Sequence, residues 1–353
     1  MRRIDRYIVS NVAAAMMLVM AIVLSLDFMF AFIGEMDSLK ANYQVFEAFL
    51  FVITTLPRRV YDYLPLAAFM GCLVGLGAMA KNSELVVLRA AGVSTGRIVI
   101  SAMKPALVVV LMSFIIGEYV APLTERIAQS QRAIQRGASE NVVVQSGLWH
   151  REGKVFMHFN AVEPNGVLHG VSMQFYNDKK QLEMSRFAER AIYQRESWQL
   201  EQIVETHFLE DKIISKSYPA KSWQTELSPS LLSVLILKPD DLSISGLYTY
   251  SRYLREQDLN SSEYMMAFWK KILQPLTTAV LVLVAISFVF GPLRSVTMGF
   301  RVFSGVIVGL IFKYAQDLLG PSSLVFGFNP IYATLIPVFV CLVVGIYLLR
   351  RAR

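Results

Sequence analysis

Six long apolar blocks constrain this chain more than any other feature of its sequence. A helix needs about 20 apolar residues to cross a bilayer. Blocks of that length lie at roughly 8–33, 60–80, 98–121, 271–290, 298–319 and 330–349. With 54% hydrophobic and 17% charged residues, the chain is also too apolar for an ordinary soluble domain. The sequence therefore predicts a membrane protein with six transmembrane helices, whose two termini lie on the same side.

Basic residues beside these blocks indicate the orientation, because Lys and Arg in short flanking loops stay on the cytoplasmic side. They cluster before the first span, between spans two and three, between spans four and five, and after the last: Arg2, Arg3, Arg6, Lys81, Arg89, Arg97, Arg294, Arg301, Arg350, Arg351 and Arg353. Acidic and basic residues nearly balance between 123 and 260. Both termini are therefore predicted to be cytoplasmic, and the net charge of +7 reflects topology rather than a nucleic-acid partner.

The region between the third and fourth spans has the pattern of a β domain. Runs such as KVFMHFNAV and QLEQIVETHF are rich in aromatic and β-branched residues, and turn signals such as REGK and EPNG separate them. We expect an antiparallel periplasmic sandwich or jelly roll at 126–260, between membrane halves at 1–125 and 261–353. Its apolar strands predict either a filled core or a groove for an amphipathic ligand.

The stretch NSELVVLRAAGVS, residues 82–94, predicts a short helix at 82–92 on the cytoplasmic side. Asn82 or Ser83 can cap its start, and Gly92 suits a left-handed position just past its end. Leu85 and Leu88 give the helix an apolar face, with Glu84 and Arg89 beside it. Such a helix either only joins two spans or is held by a cytoplasmic partner, and both interpretations remain open.

No motif predicts catalysis or metal binding. The Walker sequence G-x-x-x-x-G-K-[ST] is absent, no His/Cys/Glu cluster has metal-ligand spacing, and no nucleophile and base occur in a recognisable arrangement. We therefore expect no catalytic residue, no metal and no cofactor on this chain. A secondary transporter with three-plus-three repeats and a membrane scaffold with a periplasmic binding domain are the rival classes.

Several stretches resemble the LptF/LptG family of lipopolysaccharide exporter permeases. They are DRYI at 5–8, a close variant of LGLGAMAKNSELVVLRAAG at 73–92, GEYVAP at 117–122, LSISGLYTY at 242–250, WKKILQPL at 269–276 and SFVFGPLRSVTMGFRV at 287–302. They extend over the whole chain and favour the LptG branch, with the paralogous LptF-type subunit as the alternative.

The resemblance implies a permease subunit of an ATP-driven ABC exporter of the Gram-negative inner membrane. Such an exporter extracts lipopolysaccharide from the outer leaflet and passes it to a periplasmic jelly-roll bridge towards the outer membrane. Its implied partners are LptF, an LptB ATPase dimer that binds ATP and Mg²⁺, and the transmembrane helix of LptC. The 82–92 segment would then be the coupling helix on LptB, with Glu84 as its main polar contact.

Lipopolysaccharide carries phosphates and acyl chains, so its site should combine basic side chains with an apolar cavity. Lys40, Arg58, Arg59 and Arg132 lie at predicted outer ends of spans and are candidate phosphate ligands. The same side chains would also suit ordinary lipid headgroups. The resemblance favours Arg58 and Arg132, whereas Ala31 departs from relatives that carry a basic residue late in span one.

Three ionisable residues lie within the predicted spans: Asp27, Lys313 and Asp317. Charges at such depth are usually paired or face a wet cavity. Lys313 and Asp317 are four residues apart and can pair on one helix. Alternatively, Asp27 and Lys313 bridge spans one and five, which line the cavity and its lateral gates in the family.

Two G-x-x-x-G pairs predict close approach between helices: Gly71 with Gly75, and Gly305 with Gly309. The second pair lies in span five and is a candidate for contact with LptF.

Overall fold

A computed structural model of the chain describes residues 2–39, 43–137, 148–162, 167–194, 197–209, 212–225, 227, 238–256, 260–290 and 296–351. The chain divides into two compact units. The membrane unit comprises Met1–Ala31, Leu56–Pro122 and Leu242–Arg353, and the β unit comprises Phe32–Thr55 and Leu123–Asp241. Lys40, Arg294 and Arg353 lie outside the described residues.

The six predicted spans are confirmed as helices long and apolar enough to cross a membrane. They are α1 (Arg2–Met36), α3 (Leu56–Lys81), α5 (Thr95–Ile115), α8 (Ser262–Phe290), α9 (Met298–Phe326) and α10 (Pro330–Arg351). The third span continues through a π-helix (Ile116–Val120) into α6 (Ala121–Gly137). Shorter helices are α2 (Val45–Thr54), α4 (Glu84–Ala90), a 3₁₀ turn (Pro239–Asp241) and α7 (Ile244–Glu256).

The membrane unit is built around α3 and α8, whose apolar side chains are mostly buried, while α1 and α9 leave most of their surface exposed. Small residues let the helices approach closely. A Cβ atom added at Gly71 would lie 2.3 Å from the Cα of Met16 on α1. One added at Gly305 would lie 2.9 Å from the Sδ of Met70 on α3. Both glycine pairs therefore serve contacts inside this chain, and the suggested use of the span-five pair against LptF is corrected.

The predicted antiparallel β domain is confirmed. Its strands are β1 (Leu148–Glu152), β2 (Val155–Val162), β3 (Leu168–Tyr176), β4 (Leu182–Gln194), β5 (Ser197–Phe208) and β6 (Ile213–Trp223). Each strand pairs with the next in chain order, so the described strands form one six-stranded meander. The second sheet of a jelly roll is not among the strands that the structure describes.

One face of this sheet carries the apolar core of the β unit. Phe159, Leu168, Trp198 and Leu200 are fully buried there, and the Trp198 Nε1 donates a 2.7 Å hydrogen bond to the carbonyl oxygen of Leu227. The face is therefore a filled core at these positions, as one of the two sequence interpretations expects.

Candidate functional site

Helix α4 is shorter than predicted and begins without the predicted side-chain cap. Ser83 precedes it in a left-handed conformation with φ 61°, and its side chain makes no capping hydrogen bond. The Ser83 carbonyl instead accepts from the backbone amides of Val86 (3.1 Å) and Val87 (3.0 Å). The prediction for Gly92 is confirmed, because its φ of +85° is a conformation that only glycine adopts without strain.

The apolar residues of α4 divide between the interior and the surface. Leu85 is buried in the core of the membrane unit, and Leu88 packs partly against the same core. Val86 and Val87 are each more than half exposed, and Arg89 is exposed beside them. The predicted apolar face of Leu85 and Leu88 therefore packs towards the interior, and the exposed apolar surface of α4 belongs to the two valines.

The first turns of α1 are fastened to α4 and α5 by polar contacts that the sequence did not predict. The Tyr7 hydroxyl donates a 2.9 Å hydrogen bond to Oε2 of Glu84. The Arg97 guanidinium binds both carboxylate oxygens of Asp5 at 2.9 and 2.8 Å, and Ser101 donates to the same carboxylate at 3.2 Å. Asp5 and Tyr7 belong to the DRYI stretch, which only its resemblance to a family had singled out.

The intramembrane charges have other partners than those predicted. The Asp27 carboxylate accepts a 2.6 Å hydrogen bond from Nη1 of Arg59 and a 2.8 Å hydrogen bond from the Tyr63 hydroxyl. Arg59 and Tyr63 lie four residues apart on α3, so both reach the same side of α1. The predicted Asp27–Lys313 bridge is therefore wrong.

Lys313 and Asp317 are both exposed on α9. The described part of the chain shows no ion pair between them, so the second predicted pairing is wrong as well. Two exposed charges on a membrane-spanning helix are costly against acyl chains. Their position therefore marks a part of α9 that requires a polar neighbour or water.

The three candidate phosphate ligands among the described residues pair with acidic side chains. Arg58 pairs with Asp62 at 3.2 Å on the same helix, and Arg59 pairs with Asp27 as described. In the β unit, Arg132 pairs with Glu35 at 2.7 Å, and its guanidinium lies 4.8 Å from the centre of the Phe51 ring. An anionic ligand would therefore have to compete with these carboxylates for each guanidinium.

A buried lysine joins α8 to two other segments of the membrane unit. The Lys271 ammonium donates hydrogen bonds to the carbonyl oxygens of Leu242 and Gly117, the latter at 3.5 Å, and lies 5.1 Å from the centre of the Tyr61 ring. Gly117 belongs to the π-helix, and a Cβ atom there would lie 2.3 Å from Cε2 of Tyr61. Only glycine therefore fits at this position.

Next to this lysine, Glu118 caps the start of α7. Its carboxylate accepts from the backbone amides of Ile244 (2.7 Å) and Ser245 (3.3 Å) and from the Ser245 hydroxyl (2.7 Å). A carboxylate at this end of a helix satisfies amides that have no partner within the helix and complements its dipole. Lys271 and Glu118 together fasten the segment that begins at Leu242 onto α8 and the π-helix that follows α5.

The β unit contains a buried carboxylate that pairs with two cations across neighbouring strands. Glu205 accepts hydrogen bonds from Nε of Arg186 at 2.7 Å and from Nζ of Lys221 at 2.9 Å. Burial alone would raise the pKa of Glu205, but the hydrogen bonds and charges of Lys221 and Arg186 hold it below its ordinary value. The carboxylate therefore stays ionised within the sheet.

The family model described as lipopolysaccharide export system permease LptF/LptG matches residues 6–351. The chain belongs to this family. The lipopolysaccharide export system permease protein LptG of Escherichia coli K12 is 35% identical over 352 residues, covering 99% of this chain and 98% of the relative. The protein of the same name from Haemophilus influenzae is 34% identical over 353 residues, covering 99% of both chains. The resemblance to the LptF/LptG family is thus confirmed.

Proposed function

We propose that this chain is the LptG-type permease subunit of an ATP-driven exporter that removes lipopolysaccharide from the outer leaflet of the inner membrane. The observation that carries this proposal is the family match along nearly the whole chain, to relatives named LptG. The partners would be LptF, an LptB ATPase dimer that binds the ATP and Mg²⁺, and the transmembrane helix of LptC. In this arrangement the termini are cytoplasmic and the β domain is periplasmic.

Helix α4 would be the coupling helix that rests on the ATPase. Its exposed surface combines the apolar side chains of Val86 and Val87 with the charged side chains of Glu84 and Arg89. Its buried Leu85 packs into the core of the membrane unit. A displacement of α4 by the ATPase would therefore move the packed helices with it, since close-packed interiors transmit strain.

The basic side chains at the ends of the spans would bind the phosphates of lipopolysaccharide. Arg58, Arg59 and Arg132 each have a carboxylate partner in the chain alone. Arginine forms forked, charge-assisted hydrogen bonds with phosphate and with carboxylate alike. Substrate phosphates would therefore exchange with the acidic partners and not fill a vacant cationic pocket.

The exposed charges of α9 would be covered in the assembled transporter. Lys313 and Asp317 are exposed on a helix that is apolar enough to cross the membrane. Such charges usually face a bundle interior or a water-filled cavity. We assign them to the surface that meets LptF or lines the substrate cavity between the two permease subunits.

The proposal is tested by separating ATP hydrolysis from transport in the assembled complex. Glu84→Ala and Gly92→Val should reduce co-purification of the ATPase or the amount of lipopolysaccharide released per ATP. Gly96→Val is the matched control, because a Cβ atom meets open space at Gly92 and Gly96 alike, while only Gly92 has a positive φ. Wild-type co-purification and wild-type release by Glu84→Ala would contradict the coupling role.

A further inference from the structure

We propose that Tyr7 and Asp5 are positioning residues that join the coupling helix α4 to the first span. This inference rests on the proposed function, in which α4 receives force from an ATPase. It assigns to the DRYI stretch a mechanical task that neither the family match nor the relatives' names describe.

Contacts within this chain orient the Glu84 carboxylate. Tyr7 donates to its Oε2 at 2.9 Å, and the Asn82 side-chain amide donates to its Oε1 at 3.3 Å. Both carboxylate oxygens therefore have a donor within the chain. Because Tyr7 lies on α1, 77 residues before Glu84 in sequence, this pair joins two different helices and fixes more than a local turn.

The same part of α1 is also anchored to α5. Asp5, two residues before Tyr7, binds the Arg97 guanidinium through two hydrogen bonds and also accepts from Ser101. A paired, two-bond contact between a carboxylate and a guanidinium fixes direction as well as distance. The start of α1 is thus tied to α4 through Tyr7 and to α5 through Asp5, the two elements that lie on either side of Gly92.

The first half of α1 also packs closely against α3. Ile8, Val12 and Met16 repeat every four residues along one face and are buried. Met16 and Val12 meet Gly71 and Gly75 of α3 so closely that a Cβ atom at either glycine would approach the α1 backbone to 3.0 Å or less. The first half of α1 is therefore held by α3 as well.

A displacement of α4 would consequently be transmitted directly to the first span, α1. Movement at Glu84 pulls on the Tyr7 hydroxyl, and Asp5 keeps the end of α1 in register with α5. The second half of α1, residues 17–31, is held differently, with exposed apolar side chains and the Asp27 contact to α3. The amino-terminal end of α1 is thus the point at which α4 would move it, while its second half is attached to α3 through Asp27.

The test uses the complete transporter with its ATPase in liposomes that contain lipopolysaccharide, with hydrolysis and release measured together. Tyr7→Phe removes one hydroxyl and Asp5→Asn removes one charge, and neither changes the size of the side chain much. Each should lower lipopolysaccharide released per ATP by roughly threefold to tenfold, the range that one hydrogen bond supports. Complex yield and ATP hydrolysis should stay at wild-type levels. Tyr347→Phe is the control, because Tyr347 is exposed and has no hydrogen bond to a described residue.

Two comparisons distinguish a positioning role from a role in folding alone. The double variant Asp5→Arg with Arg97→Asp should recover most of the release lost in Asp5→Asn, since it restores an ion pair between α1 and α5. If Tyr7→Phe or Asp5→Asn lowers complex yield, hydrolysis and release in parallel, the contacts only support folding and the inference is wrong.

The inference and the proposed function fail in different ways. If Glu84→Ala uncouples hydrolysis from release while Tyr7→Phe and Asp5→Asn behave as wild type, the positioning role falls and the coupling role of α4 stands. If Glu84→Ala also behaves as wild type, the coupling role itself is refuted.

Discussion

Replacing Asp27 with alanine should release the second half of α1 from α3. The Asp27 carboxylate accepts hydrogen bonds from Arg59 at 2.6 Å and from Tyr63 at 2.8 Å. The apolar side chains of Leu18 and Leu26 along this half are more than half exposed, so they add little burial against this chain. Asp27 therefore supplies a charged attachment of this half to α3, in addition to partly buried side chains such as Val19.

The size of the effect follows from the number and burial of these bonds. The side chains of Asp27 and Arg59 are only 18% and 25% exposed, so water screens their interaction weakly. A hydrogen bond to a charged group contributes about 1.5–3 kcal/mol, and loss of both bonds should cost about 3 kcal/mol. At about 1.4 kcal/mol per tenfold, the detached state should become roughly a hundred times more populated relative to the attached state.

The change is measured as a distance between spin labels on α1 and α5, at Phe30 and Leu111, after replacement of Cys72 and Cys341. Asp27→Ala should broaden the distance distribution and lengthen its mean. Ser25→Ala is the matched control, because the Ser25 hydroxyl donates to Ala21 of its own helix and does not reach α3. An unchanged distribution in Asp27→Ala would refute the reasoning, since other contacts would then hold the helix.

Two further predictions concern buried charges elsewhere. Glu205→Gln should lower the free energy of unfolding of the β unit by about 2 kcal/mol, because a neutral amide replaces the charged acceptor of Arg186 and Lys221. Tryptophan fluorescence during thermal unfolding measures this change. The pKa of Glu205 is lowered on folding, so its contribution to stability is present above the unfolded pKa and disappears as the pH falls through the folded pKa. The difference in unfolding free energy between wild type and Glu205→Gln should therefore disappear in acid. A difference that does not change with pH would contradict this cause. Lys271→Met should lower the melting temperature of the detergent-solubilised chain, because the carbonyl oxygens of Leu242 and Gly117 lose a donor. Lys81→Met, at the exposed end of α3, should leave the melting temperature unchanged, and equal effects of the two variants would exclude a specific role for Lys271.

The sequence alone was sufficient for the architecture and for the family. The six spans and the β strands could be predicted because the length of an apolar block and the alternation of apolar and polar residues are local properties of the chain. The positive φ of Gly92 could be predicted for the same reason, since the end of a short helix favours a residue that tolerates this conformation. The match of six scattered stretches was enough to indicate the family that the comparisons then confirmed.

Only the tertiary structure decided which side chains meet. A transmembrane helix is apolar on every side, so its sequence does not reveal which face contacts other helices and which face contacts lipid. The sequence left two pairings open, Lys313 with Asp317 or Asp27 with Lys313, whereas the packing of α1 on α3 brings Asp27 to Arg59 and Tyr63. The sequence of α4 likewise predicted an apolar face at Leu85 and Leu88, but only the fold shows that this face packs inwards. The contacts of Tyr7 and Asp5 depend on residues 77 and 92 positions away, and only the folded arrangement of the helices brings those residues together.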